Sequence, residues 1–408
     1  MPTLRASSGA TAVGLALLAI ACTVPGIALF NRKSGSDIPV YQQAGEGLVH
    51  GSLPYRDFSL EYPPGALPVF VVPTAGPADQ YVQWFKAEQA VLAGIVCWLV
   101  ALLLAAGGAS KRQLYAGTAL VPVALGIFGP TLLGRYDLWP TGLLLGALLA
   151  LVAGRPRLGL ALLGASVAAK GFALALLLPA LVYVSRRHGR AALRASSAWF
   201  VAVIAVAVLP FLALGPGGLR FTLESQLRRP LQVESFGAAI LEVAKHLGAY
   251  HPSVVSTYGS QNLSGSTASA VAALSSVLLV LGVAGVWLAF VRGRADAHTL
   301  VAACLASLAV VVAFGKVLSP QFLIWLIPFA PLLAGRAALV TGSLTLGATA
   351  LTRAWFPRRY GDVVALGDST WLVLVRDLIL VLLVVAAAAE LLRLSGLRAR
   401  RAAASLAR

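Results

Sequence analysis

The fourteen residues Ser166–Pro179, SVAAKGFALALLLP, place a single lysine, Lys170, inside an apolar run of 27 residues from 158 to 184. One continuous helix through this run would hold an ammonium at bilayer depth, at a cost of about 2.5 to 3.5 kcal/mol on insertion scales. Either Lys170 faces a wet cavity or the chain turns at Lys170 on one membrane face. The second reading is preferred, because it also leaves the following RRHGR, residues 186 to 190, on the opposite face.

The rest of the chain repeats this pattern. Of 408 residues, 59% are hydrophobic and 12% charged, with a mean hydropathy of +0.84. Apolar runs fall near 11–30, 84–106, 114–131, 138–154, 158–169, 172–184, 195–214, 270–291, 298–315, 319–334, 337–352 and 370–392. That is an all-α polytopic membrane protein of about twelve transmembrane helices. Two of these runs are too short to cross alone, and a shallow apolar piece at 65–76 is broken by Pro68 and Pro73, so it reads as re-entrant or interfacial. The first run reads as a retained signal anchor, since no small-x-small cleavage site follows it. Cys22, Cys97 and Cys304 lie far apart in apolar runs without metal-ligand spacing and read as packing residues. The chain reads as one integral membrane domain over 1–408, with a first outer loop at about 31–64, a large outer loop at about 216–268 and a cytoplasmic basic tail at about 393–408.

Charge gives the orientation. With both termini cytoplasmic, the short basic loops near 111, 155, 186 and 292 and the C-terminal tail all fall inside, as the positive-inside tendency requires. That face then carries 17 Lys and Arg against two acids, Asp296 and Glu390, while 13 of the 15 acids map outside. The net charge of +17 thus reflects anchoring on an anionic inner leaflet, and the basic residues form no single stripe that would suit nucleic acid. Chemistry is expected on the outer, carboxylate-rich face.

Several segments there carry it. DIPVYQQAGEGLV, residues 37 to 49, has Ile38, Tyr41 and Leu48 at roughly helical spacing, which predicts a short helix on the membrane surface with Asp37 at its start. Asp37 is equally suited to a plain helix N-cap. PYRDFSLEYPPG, residues 54 to 65, offers Tyr55, Phe58 and Tyr62 as interface aromatics, but Arg56, Asp57 and Glu61 exceed what an aromatic belt needs. LLGRYDLWP places Arg135 and Asp137 at a helix end, where a snorkelling arginine paired with its neighbour is the plainer reading. ESQLRRPLQVESFGAAI brings Arg228, Arg229, Glu234 and Ser235 ahead of an apolar segment with helical period. AFGKVLSPQFLIWLIP adds Lys316 and Gln321. Lysines and arginines converging on one membrane face suit a phosphate. Walker A, GxGxxG after a strand, HExxH, CxxC pairs and DxD are absent, which argues against a nucleotide-dependent reaction.

In order along the chain, SDIPVY, PYRDFSLEYPPGALP, GRYDLWP, AAKGFALALLLP, RRPLQVES and GKVLSPQFLIWLIP resemble the polyprenol-phosphate-mannose-dependent mannosyltransferases of glycosyltransferase family 87. The resemblance implies a GT-C-type fold whose extracytoplasmic loops carry short interfacial helices. It implies transfer of a sugar, mannose first among them, from a polyprenol-phosphate donor to a glycolipid or cell-envelope glycan acceptor at the outer face of the cell membrane. In that fold class an acid of the first outer loop is the usual catalytic base, and the matching residue is Asp37. Lys170, Arg228, Arg229 and Lys316 are then candidates for the donor phosphate. Tyr55, Asp57, Glu61, Tyr62, Arg135, Asp137, Glu234 and Gln321 are candidates for sugar or acceptor.

A polyprenol phosphate leaves without protonation, so single displacement asks for one carboxylate base and cations on the phosphate, with no cofactor and no metal. Partners are the lipid donor, the acceptor and membrane lipid. The same fold with decaprenyl-phosphate arabinose is the alternative within the class. A lipid-linked sugar flippase or transporter, or a non-catalytic scaffold, is the alternative outside it.

Overall fold

In a computed structural model, residues 37–396 are described. The anchor expected at 11–30, Cys22 and most of the basic tail lie outside the described residues. Helix α1 is Ile38–Val49 and α2 is Leu67–Val71; long helices α3, Tyr81–Ala106, and α4, Lys111–Phe128, follow. Helices α5, Leu138–Val152, and α6, Pro156–Ala169, are short, and α7 runs over Leu177–Leu214 with a break at Gly189. Gly189 takes φ +81°, a left-handed conformation that favours glycine, and it divides α7 into two helices.

Next come α8, Pro216–Arg228, and β1, Leu231–Gln232, then α9, Phe236–His246, and strands β2, Ser253–Thr257, and β3, Ser260–Ser264. The three strands form one antiparallel sheet in the order β1-β3-β2, with Leu231 opposite Leu263 and Val254 opposite the same residue. The bundle is completed by α10, Ser266–Arg292, α11, Ala297–Phe314, α12, Leu323–Leu326, α13, Gly335–Trp355, α14, Tyr360–Val364, and α15, Thr370–Leu394.

The protein is an all-α membrane protein apart from this small sheet. Among the described residues, six helices have the length and apolarity to cross a bilayer, and four shorter apolar helical segments accompany them. Of the twelve expected runs, the one at 11–30 lies outside the described residues, and the rest of the gap has physical causes. Helices of 14 and 15 residues, α6 and α5, rise only about 21 to 22 Å against a hydrocarbon core of about 30 Å. The run at 319–334 is broken by Pro320, Pro328 and Pro331 into short turns. Helix α13 carries Thr341, Thr345, Thr349 and Thr352, whose hydroxyls each donate to the carbonyl four residues back. The runs at 172–184 and 195–214 are the two parts of α7.

The chain does turn at Lys170. Helix α6 stops at Ala169, and Lys170 is extended at φ −162°, ψ 124°. Basic loops collect at the other end of the bundle. Arg186 donates to the carbonyls of Val291 and Gly293, the latter at 2.8 Å, and Gln113 donates to Leu333 at 2.8 Å. Gly154 lies against His188, and Gly107 against His298.

Helix α1 differs from expectation. Its apolar face does not lie on lipid but packs on protein, because aromatic partners are available there. Tyr41 stacks on Phe70 at 4.4 Å between ring centroids and meets Tyr62 and Tyr136 edge-on at 5.2 and 5.6 Å. The end of the next loop is clamped as tightly. A Cβ on Gly65 would lie 2.4 Å from the backbone of Ala168, and the Trp139 indole donates to the Gly65 carbonyl at 3.0 Å. Only glycine permits this approach, and it brings Glu61 and Tyr62 beside the break at Lys170.

Candidate active site

At the end of the bundle away from the basic loops lies a cavity of about 1110 Å³. Its polar floor draws residues from six separate parts of the chain. Asp37 comes from the start of α1, Glu61 and Tyr62 from the following loop, Arg135 from the turn before α5, and Lys170 from the break after α6. The segment between α8 and α9 adds Arg229, Gln232 and Glu234, and the turn after α11 adds Lys316, Ser319 and Gln321.

Asp37 stands at the helix start but its carboxylate does not cap the helix. It accepts instead from the Tyr62 hydroxyl at 3.0 Å and from the Arg135 guanidinium. The side chain keeps 33% of its surface exposed, so an oxygen stays open to the cavity. The Arg135 guanidinium and the Tyr62 hydroxyl thus hold the carboxylate at the cavity edge, where a general base would have to stand.

The cations divide by how they are engaged. Lys170 donates to Asp137 at 2.7 Å, Arg135 to Asp37, and Lys316 to the Leu227 carbonyl at 2.7 Å. Arg229 makes no ion pair within the described residues, and its buried Nε has no hydrogen-bond partner. It is the cavity's uncommitted guanidinium. Glu234 is buried and accepts from the Gln232 amide, which also reaches Ser319 at 3.3 Å. Burial pushes its carboxyl up to about 7, against the pull of the neighbouring Arg376. The Gln321 side-chain oxygen is buried without a partner.

Four of the expected residues lie off the cavity. Tyr55 is packed in the core at φ +69°, its hydroxyl donating to the Tyr62 carbonyl at 2.5 Å, so it braces the loop from behind. Asp57 is exposed and paired with its neighbour Arg56 at 2.8 Å, a local bond that removes any need for a ligand. Arg228 points to solvent from the last turn of α8, 3.7 Å from Glu224. Asp137 is buried beneath Lys170 and does not line the cavity.

The structure also adds residues. Gln232 and Ser319 lie within sequence segments already singled out, but Tyr360 and the hairpin tip Gly259–Gln261 carried no sequence signal. The larger addition is an apolar wall formed by Leu279, Val280, Val283, Ala284 and Trp287 of α10 facing Phe172, Leu174 and Ala175. Val280 and Leu174 are more than half or about half exposed, at 62% and 50%, so this side of the cavity opens on the outer surface of the bundle. A smaller cleft of about 520 Å³ lies at the basic end, between Arg155–Leu158 and Ala191–Ala192, and holds no carboxylate. Among the described residues, no three His, Cys, Asp or Glu side chains gather as a metal site.

Among comparisons with known proteins, the family model described as glycosyltransferase family 87 matches residues 60–320, more than half of the chain. No curated protein matches it.

Proposed function

Because the chain belongs to glycosyltransferase family 87, we propose that this membrane glycosyltransferase moves mannose from a polyprenyl phosphate to a hydroxyl of a glycolipid or envelope glycan. The observation that carries the donor class is the two-sided cavity. Its floor holds acids and cations, and its wall on α10 is apolar and exposed toward the surface that the spans give to lipid. A nucleotide sugar has no use for such a wall. A sugar phosphate on an isoprenoid chain needs both halves, because burying each methylene of the chain contributes about 0.8 kcal/mol while the phosphate requires cations.

The reaction is a single displacement. The acceptor oxygen attacks the anomeric carbon, the bond from that carbon to the phosphate oxygen breaks, and the acceptor proton passes to Asp37. Polyprenyl phosphate departs as an anion. Arg135 and Tyr62 hold the Asp37 carboxylate in place, which saves the entropy of orienting it. Arg229 takes the phosphate, since its guanidinium is uncommitted where Lys316 and Lys170 already have partners. Glu61, Glu234 and Gln321 face the sugar and acceptor hydroxyls. The basin opens on the extracytoplasmic side, because the short basic loops collect at the opposite end.

Transfer from radiolabelled polyprenyl-phosphate mannose, assayed in membranes, tests this reading. Asp37→Asn is expected to lower transfer by about 10²- to 10⁴-fold with unchanged amounts of folded protein. Retained transfer would remove Asp37 as the base, and equal use of a nucleotide sugar would remove the lipid donor.

A further inference from the structure

Asp137 is 1% exposed and is absent from the cavity lining, yet it organises the cavity floor. Its Oδ1 accepts from the Lys170 ammonium at 2.7 Å and from the Trp325 indole at 2.7 Å. The ammonium sits 4.8 Å from the centre of the Tyr136 ring and 5.2 Å from each of Phe322 and Trp325. Trp325 is stacked between Phe172 at 4.0 Å and Phe322 at 4.1 Å. Lys170 and all three stacked rings line the cavity.

We infer that Asp137 is a positioning residue that acts through Lys170 and Trp325, fixing the ammonium and the ring stack against the donor. This rests on the reading of the cavity as a donor site. An ammonium has three hydrogens and no acceptor. One goes to Asp137, and the three rings hold the charge, so the ammonium is fixed in place at the cavity lining with hydrogen-bonding capacity left over. The carboxylate and the ammonium together carry no net charge. Lys170 thus serves as an oriented donor, while Arg229 supplies the net positive charge. The rings, locked by the same carboxylate, give the floor an apolar edge beside the ammonium.

A double-mutant cycle on the purified full chain tests this, with Asp137→Asn, Lys170→Met and their combination. Both kcat and the donor KM are measured with polyprenyl-phosphate mannose. Each single change is expected to raise donor KM by about tenfold, the loss of one charge-assisted hydrogen bond, with kcat less affected. The double variant should be no worse than the weaker single variant, because Asn at 137 keeps an oxygen for the Trp325 indole and the charge lost there reaches the donor through Lys170. Multiplied effects of about a hundredfold in the double variant would overturn the inference. Trp325→Phe, which keeps the stack and loses the indole donor, should raise donor KM by a smaller factor.

The thermal midpoint gives a second arm that needs no donor. Lys170→Met strands a buried carboxylate and should lower the midpoint, and adding Asp137→Asn should recover part of that loss. A further fall in the double variant overturns the coupling. A wild-type protein inactive with this donor would retire the transfer reading instead, and the thermal cycle would still decide whether the two side chains act as one.

Discussion

Two polar clusters lie side by side in this molecule, and they are built on opposite plans. In the open one, Asp37, Tyr62 and Arg135 share hydrogen bonds at the edge of the cavity, and the buried Nε of Arg229 has no partner among the described residues. In the sealed one, Arg376 and Asp377 of α15 have no exposed surface and stand 2.6 Å apart, without good hydrogen-bond geometry between them. Glu242 of α9 lies close enough to affect both and keeps two buried oxygens without partners. Arg376 also lies over the Trp355 ring at 5.6 Å. Glu234 joins the clusters, giving its backbone carbonyl to Arg376 at 2.7 Å and its carboxyl to the cavity. The open cluster keeps spare hydrogen-bonding capacity that a ligand can use. The sealed one has only protein to satisfy it, so its charges hold β1 and α9 against α15 and belong to stability.

The largest expected effect follows from that division. Arg376→Met strands Asp377 and releases the Glu234 carbonyl, and should destabilise the fold by about 3 to 5 kcal/mol, read as a fall in thermal midpoint in detergent. Arg135→Met, on the open side, should lower transfer with a far smaller thermal change. A reversed pattern would erase the distinction between the clusters.

The pH dependence of stability sharpens the same contrast. Burial pushes the Glu234 carboxyl up to about 7 and that of Glu242 up to about 9, in both cases mainly through lost solvation. Both values exceed the ordinary value of 4.5, so the folded state keeps protons that the unfolded chain has released. Stability from these groups is full below pH 4.5 and is lost as pH rises through 7 and then 9. Glu242→Gln removes the upper part of that loss. Thermal midpoints from pH 5 to 9 should therefore fall for the wild-type protein and flatten above pH 7 for the variant. A wild-type curve that rises over this range would contradict the sealed placement.

How much of this was legible in the sequence depended on whether a local signal matched a local cause. The break at Lys170 was readable, because an ammonium in an apolar run forces either a cavity or a turn. Helix α1 was readable from Ile38 and Tyr41, but its surroundings were not, since the same apolar face suits lipid or the Phe70 and Tyr136 rings. Asp57 and Arg228 looked like site residues because charge is costly near a membrane, yet neighbours one and four residues away satisfy them. The sheet was invisible, as strands of two and five residues leave little periodicity. Arg376 and Asp377 passed as part of an apolar run, although two adjacent opposite charges there signal a buried pair. Tyr360 reaches the cavity only through tertiary packing.

The smallest expected effect separates two adjacent arginines that sequence alone treats alike. Arg229 lines the cavity with a buried Nε that has no partner, while Arg228 is exposed and lies 3.7 Å from Glu224. Exposed pairs of that kind contribute about 0 to 1 kcal/mol. Arg228→Gln should thus leave donor KM and thermal midpoint unchanged. Arg229→Gln keeps much of the side chain's length but loses the charge, and should raise donor KM about tenfold, the worth of one charged hydrogen bond to phosphate. Its thermal midpoint should hold or rise, because removing an unpaired cation from a partly buried place relieves desolvation. Steady-state kinetics over a range of donor concentrations, with thermal scans of both variants, make the comparison. Equal effects at 228 and 229 would show that the segment only tethers α8 to β1, and the cation for the phosphate would then have to be sought at Lys170 or Lys316.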